Sequence, residues 1–132
     1  MNADCIRLTV PAKPEYILVT RLTASSVATR AGFDIDAIED IKSAVAEAAI
    51  LVMNQVRDTE EIILHFYLNE NDLSIDVQAK RAENYKDLNK ASDVEYRKIS
   101  MFILEAMMDN VELFTEDGIL SKVIMQKKYR GR

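Results

Sequence analysis

The chain has 132 residues, 48% of them hydrophobic and 30% charged, and a formal net charge of −5. That length suits one folded domain burying roughly two-thirds of its unfolded surface; a single cysteine, Cys5, and a single histidine, His65, exclude a disulfide framework and a tetrahedral Cys/His zinc site. The acidic balance argues against nucleic acid as a direct partner, and no apolar run approaches the ~20 residues of a membrane span.

The first residues, Met1-Asn2-Ala3-Asp4, lack the basic and apolar regions of a signal peptide, so a cytoplasmic protein is expected. Ile6, Leu8 and Val10 alternate with Arg7 and Thr9, which predicts a half-buried strand over 5–10. Pro11 and Pro14 close it, and a helix is expected over 14–30 with Ile17, Leu18, Leu22 and Val27 as its apolar stripe. Gly32 suits a left-handed stop. Asp36-Ala37-Ile38-Glu39 has the spacing of a capping box, and a second helix is expected to run to about residue 56. Past Ala44 that helix is nearly all apolar, apart from Glu47. A carboxylate there is costly unless it is paired, solvated in a cleft, or turned outward at the helix edge.

Residues 60–68 and 73–78 alternate around the polar turn Asn69-Glu70-Asn71-Asp72 and predict an antiparallel hairpin. His65 falls on its more polar face and reads as a surface or half-buried side chain. The polar stretch 80–93 is the one long irregular segment and the candidate mobile loop. A third helix is expected over 93–110 with Ile99, Phe102, Ile103, Ala106 and Met107 as its core face. Two more strands are expected at 111–115 and 119–127, around Glu116-Asp117-Gly118. The closing Lys127-Lys128-Tyr129-Arg130-Gly131-Arg132 is basic and reads as a solvated tail. The order β-α-α-β-β-α-β-β predicts an α/β two-layer sandwich, a mostly antiparallel sheet with helices on one face, in a single domain spanning 1–132.

These patterns alone provide no active site: the three glycines, at 32, 118 and 131, form no phosphate-cradling loop. A resemblance adds more. The segment 10–30, the run Ile38-Glu-Asp-Ile-Lys-Ser-Ala-Val-Ala-Glu47 and the stretch Phe102-Ile-Leu-Glu-Ala-Met-Met-Asp-Asn-Val111 resemble the bacterial anti-sigma factor serine kinases of partner-switching modules. The resemblance covers essentially the whole chain. It implies a Bergerat-type (GHKL) fold, shared with histidine kinases, and a family activity that uses ATP–Mg²⁺ to phosphorylate a serine on a STAS-type anti-anti-sigma protein. It also implies sigma factor and STAS protein as partners, and homodimers or a heterodimer with a paralogue.

Carried over residue by residue, the family pattern is only partly present. Glu47 matches the general base. The Mg²⁺-holding asparagine four residues later is Leu51 here, which ligates no hard cation. Asn54 lies too far round and along the helix to replace it. The adenine-reading aspartate and the glycine two residues on are Ala79 and Arg81, and the glycine-rich opening of the third helix is Arg97-Lys98-Ile99-Ser100. Together these losses are worth roughly 4–6 kcal/mol, or three to four decades of affinity. The resemblance therefore implies a degenerate member with no nucleotide cofactor and no bound metal. It would act through protein binding, with Arg21 of the first helix matching an arginine of partner contact. Two other readings stay open: an active serine/threonine kinase using Glu47, and a non-catalytic dimerisation subunit of an active paralogue.

Overall fold

The computed structural model describes residues 4–56, 58–82 and 93–130. Among them the chain forms β1 (Asp4–Pro11), a short 3-10 turn (Pro14–Tyr16), α1 (Ile17–Ala31), α2 (Ile35–Met53), β2 (Thr59–Leu68), β3 (Asp72–Arg81), α3 (Asp93–Met107), β4 (Asn110–Glu116) and β5 (Ile119–Lys128). The five strands make one antiparallel sheet in the order β1-β2-β3-β5-β4. The expected order and the α+β sandwich are those observed. Of the expected loop at 80–93, β3 takes the start and α3 the end, and 83–92 lies outside the described residues.

Register follows the alternation of the strands. Leu8, Leu64 and Val77 stand in one row across β1, β2 and β3, and Ile6, Phe66, Ile75 and Met125 in the next. One face of each inner strand is therefore apolar and buried under the helices. The β4–β5 hairpin turns at Asp117 (φ 53°) and Gly118 (φ 77°), both left-handed, as a two-residue turn matched to strand twist requires.

The helix boundaries show where local chemistry overrode the pattern. Gly32, at φ 96°, caps α1 as expected, its N–H reaching the carbonyls of Ala28 and Thr29. The N-cap of α2 is Asp34, not Asp36: the Asp34 carboxylate accepts the Ala37 N–H at 2.9 Å, which puts Asp36 inside the first turn. The stripe expected on α1 holds in part: Val27 is buried and Ile17 packs against the core. Leu18 and Leu22 are 60% and 58% exposed, whereas Thr20, Ala24, Val27, Ala28 and Ala31 are buried. The small side chains of this face, with Ala44 and Ala48 of α2, belong to the same buried core cluster, and small residues at a helix contact allow a close approach.

On α3 too the expected face holds in part: Met107 packs against the core and Ile103 is half-buried, but Ile99 and Phe102 are exposed, Phe102 by 76%, and Ala106 is exposed too. The inward residues are Ser100 and Leu104, with Met108 just beyond the helix. The basic C-terminus is likewise no free tail as far as residue 130. Lys127 continues the inward row of Val123 and Met125, and its ammonium donates to the Met107 carbonyl and pairs with Asp40 at 3.5 Å. Asp109 accepts from the Lys128 backbone at 2.7 Å and pairs with Arg130.

On the sheet face turned away from the helices, Arg7, His65, Asp76, Ile124 and Glu112 form a row across all five strands. His65 stacks on Tyr67 with ring centroids 6.0 Å apart, the half-buried surface position expected of it. Burial pushes the Asp76 carboxyl above its ordinary 3.8, against the lowering effect of Lys122 and His65. The folded chain thus binds this proton more tightly than the unfolded chain. Asp76 is neutral in both states below 3.8, and stability is lost as pH rises through the folded value. Asp76→Asn is expected to remove this negative slope in the pH dependence of the urea midpoint. A slope unchanged by the substitution would assign it to other groups.

Candidate functional site

The site suggested by Glu47 lies where α2 and α3 run against each other. Glu47 sits on α2 among Val45, Ala48 and Ala49, which are buried, and is itself half-buried. Its placement in an apolar helix is resolved by pairing, not by an outward turn: Ser100 of α3 donates its hydroxyl proton to Glu47 Oε2 at 2.7 Å. Ser100 is fully buried. A serine in that position is tolerable because a carboxylate satisfies its hydroxyl, and bonds to a charged acceptor are the stronger ones.

Tyr96 lies one turn before Ser100. Burial raises its phenol above the ordinary 10.0, the negative charge of Glu47 pushes the same way, and the Ser100 hydroxyl acts against both. A second polar link ties α3 to the residues just past α2. Gln55, just past α2 and buried, donates from Nε2 to the Leu51 carbonyl at 3.0 Å. That carbonyl belongs to the last turn of α2, which has no helical N–H to serve it. The Gln55 Oε1 accepts from Arg97 Nη2 of α3 at 3.1 Å. Arg97 Nε is buried and meets no acceptor among the described residues.

The positions where the sequence departs from a nucleotide site fall as follows. Leu51 is 1% exposed and joins the main core cluster. Asn54 is exposed at the C-cap of α2. Ala79 packs against the core from β3, and Arg81, at the end of that strand, donates to the Leu120 carbonyl at 2.6 Å. Arg97 and Ser100 both turn toward α2, as described. Among the described residues no group of three or more His, Cys, Asp or Glu side chains could hold a metal ion.

Arg21 lies elsewhere, half-exposed on α1, far in sequence from Glu47. It follows Leu18 by three residues and precedes Leu22, so a cation and two exposed leucines share one patch of helix. Beside them Ile6, Val19, Leu22, Thr23, Ser26 and Val27 line a groove of about 390 Å³ between α1 and β1. The structure thus puts Glu47 on α2 and Arg21 on α1. It adds Gln55 and Tyr96, for which the sequence held no signal beyond a polar residue at the end of an apolar helix. Among the described residues no helix is long and apolar enough to cross a membrane.

No protein-family model matches the chain. Known proteins do. The serine-protein kinase RsbW of Oceanobacillus iheyensis is 37% identical over 144 residues, covering 97% of this chain and 88% of the relative. That of Listeria monocytogenes serotype 4a is 34% identical over 141 residues, covering 94% and 87%. That of Halalkalibacterium halodurans is 33% identical over 130 residues, covering 89% and 80%. Among solved structures, the crystal structure of the RsbU and RsbW domains of a Mycobacterium tuberculosis protein matches with a TM-score of 0.69 at 11% identity. The match covers 95% of this chain but 32% of that one, and at such identity it speaks for the fold. Identity above 30% over nearly the whole length, with the same fold, places this chain in the RsbW family of anti-sigma factor serine-protein kinases.

Proposed function

We propose that the chain is a partner-switching regulator that works by binding proteins, a sigma factor or a STAS-type anti-anti-sigma protein, and that it has lost ATP–Mg²⁺ binding and phosphotransfer. The observation that carries this reading is the setting of Glu47. Its carboxylate already accepts the Ser100 hydroxyl, and one turn on, Leu51 enters the core instead of offering an oxygen to a cation. A general base acts only on a nucleophile held in line with a bound γ-phosphate. Ala79 and the Arg97–Ser100 segment supply neither a carboxylate for adenine nor glycine backbone for phosphate. The protein-binding half of the proposal draws on α1, where Arg21, Leu18 and Leu22 remain available at the surface.

Isothermal titration with ATP–Mg²⁺ and ADP–Mg²⁺, up to several millimolar, is expected to give no saturable heat from protein shown to be folded by circular dichroism. Micromolar binding would overturn the loss of nucleotide. Phosphate transfer to a STAS protein, abolished by Glu47→Ala, would replace the proposal with an active kinase. Arg21→Glu is expected to weaken capture of the cognate sigma factor or STAS protein by about tenfold or more, since reversing a charge at the centre of a contact costs on the order of 1–3 kcal/mol. Unchanged capture of both would remove Arg21 from the surface.

A further inference from the structure

We propose that Ser100 and Arg97 form a built-in latch that holds the first turns of α3 closed against α2 without any ligand. The proposal rests on the reading of Glu47 as an unused base, and it adds what that carboxylate now does. Two side-chain bonds cross the helix pair, Ser100 to Glu47 at 2.7 Å and Arg97 to Gln55 at 3.1 Å. Two of the four partners have little freedom to turn to water instead: Ser100 is fully buried, and Gln55 is buried and also tied to the Leu51 carbonyl.

The bonds fall about one turn apart on α3 and eight residues apart in sequence on the α2 side. Two fixed points so placed define how α3 lies on α2, which one bond at the middle would leave free to pivot. Between them no apolar side chain is buried; the apolar contact comes later, from Leu104, Met107 and Met108. Ile99 and Phe102 turn outward, and Leu104 is the fully buried apolar residue of the helix among the described positions. Among the described side chains of the N-terminal turns of α3, the polar pairs are therefore what fixes its position on α2. A carboxylate accepts at two oxygens, so a donor that approaches Glu47 Oε2 competes with the Ser100 hydroxyl at that oxygen.

Hydrogen exchange of the α3 amides reads this directly, with the β2–β3 hairpin as internal control. Ser100→Ala and Glu47→Ala are each expected to speed exchange in residues 95–103 by about tenfold, the loss of one charge-assisted bond. The double variant should add little to either single one, because both remove the same bond. Glu47→Gln keeps an acceptor oxygen and is expected to restore most of the protection. Additive effects in the double variant, no rescue by Glu47→Gln, or equal acceleration in the hairpin would each overturn the latch. Wild-type exchange with millimolar ATP–Mg²⁺ is read separately. Protection of α3 by nucleotide would refute the loss of nucleotide binding, while the variant cycle without nucleotide still decides the latch.

Discussion

Phe66→Ala should lower the free energy of unfolding by about 3–5 kcal/mol, whereas Phe102→Ala should change it by no more than about 0.5 kcal/mol. Phe66 stands on β2, second in the sheet, between Ile6 of β1 and Ile75 of β3, and is fully buried beneath the helices. Its ring is the largest fully buried side chain, so truncation removes its transfer energy and leaves a cavity that the sheet cannot close. Since a domain of this kind is stable by about 5–15 kcal/mol, that single change consumes much of the margin. Phe102 is a phenylalanine of equal size on α3, but 76% exposed, and deleting its ring opens no cavity. Urea unfolding followed by far-ultraviolet circular dichroism measures both. Similar losses for the two variants would mean that Phe102 is buried in solution, as its helical spacing alone suggests, and that α3 is rotated from the orientation described.

The contrast between these two phenylalanines marks what was legible in the sequence. On a strand, alternation has a period of two, and one face must be the inner one; Ile62, Leu64 and Phe66 follow that rule, as do Leu73, Ile75 and Val77. On α1 and α3 the largest apolar side chains are the wrong guide. In α1 the buried face consists of Thr20, Ala24, Val27, Ala28 and Ala31, mostly small side chains; the leucines go outward. In α3 the buried face contains Ser100, and no hydropathy scale favours serine in a core. It is there because Glu47, 53 residues earlier, accepts its proton. Glu47 was visible as a charge out of place in an apolar helix, but its partner was not, since a hydrogen bond across two helices leaves no local spacing to read. Lys127 is the opposite case: alternation along β5 directs it inward, and its basic neighbours disguised it as tail. The resemblance to a kinase family supplied Glu47 and Leu51 as positions to inspect; the fold supplied what now surrounds them.

Leu51→Asn, which restores the amide that the family places one turn after its base, should cost about 3–5 kcal/mol and bring back no micromolar nucleotide binding. Leu51 is 1% exposed within the main core cluster, so the substitution forfeits a buried leucine, worth about 2–5 kcal/mol when truncated to alanine. It also carries an amide into apolar surroundings, where each unsatisfied group costs about 1–3 kcal/mol, part of it recovered by the volume the amide still fills. Leu51→Ala is the control that separates the two terms: the asparagine variant should be at least as unstable, because volume is not its only fault. On the proposed reading a folded Leu51→Asn variant still lacks a carboxylate for adenine, with Ala79 in that place, and glycines for phosphate, with Arg97 bonded to Gln55 and Ser100 to Glu47 instead. Titration with ATP–Mg²⁺ should therefore remain without saturable heat. If Leu51→Asn were instead no less stable than Leu51→Ala and bound ATP–Mg²⁺ in the micromolar range, residue 51 would face an open site in solution. The nucleotide chemistry of the family would then stand one substitution away, and the proposal of a regulator that acts by protein binding alone would fall with it.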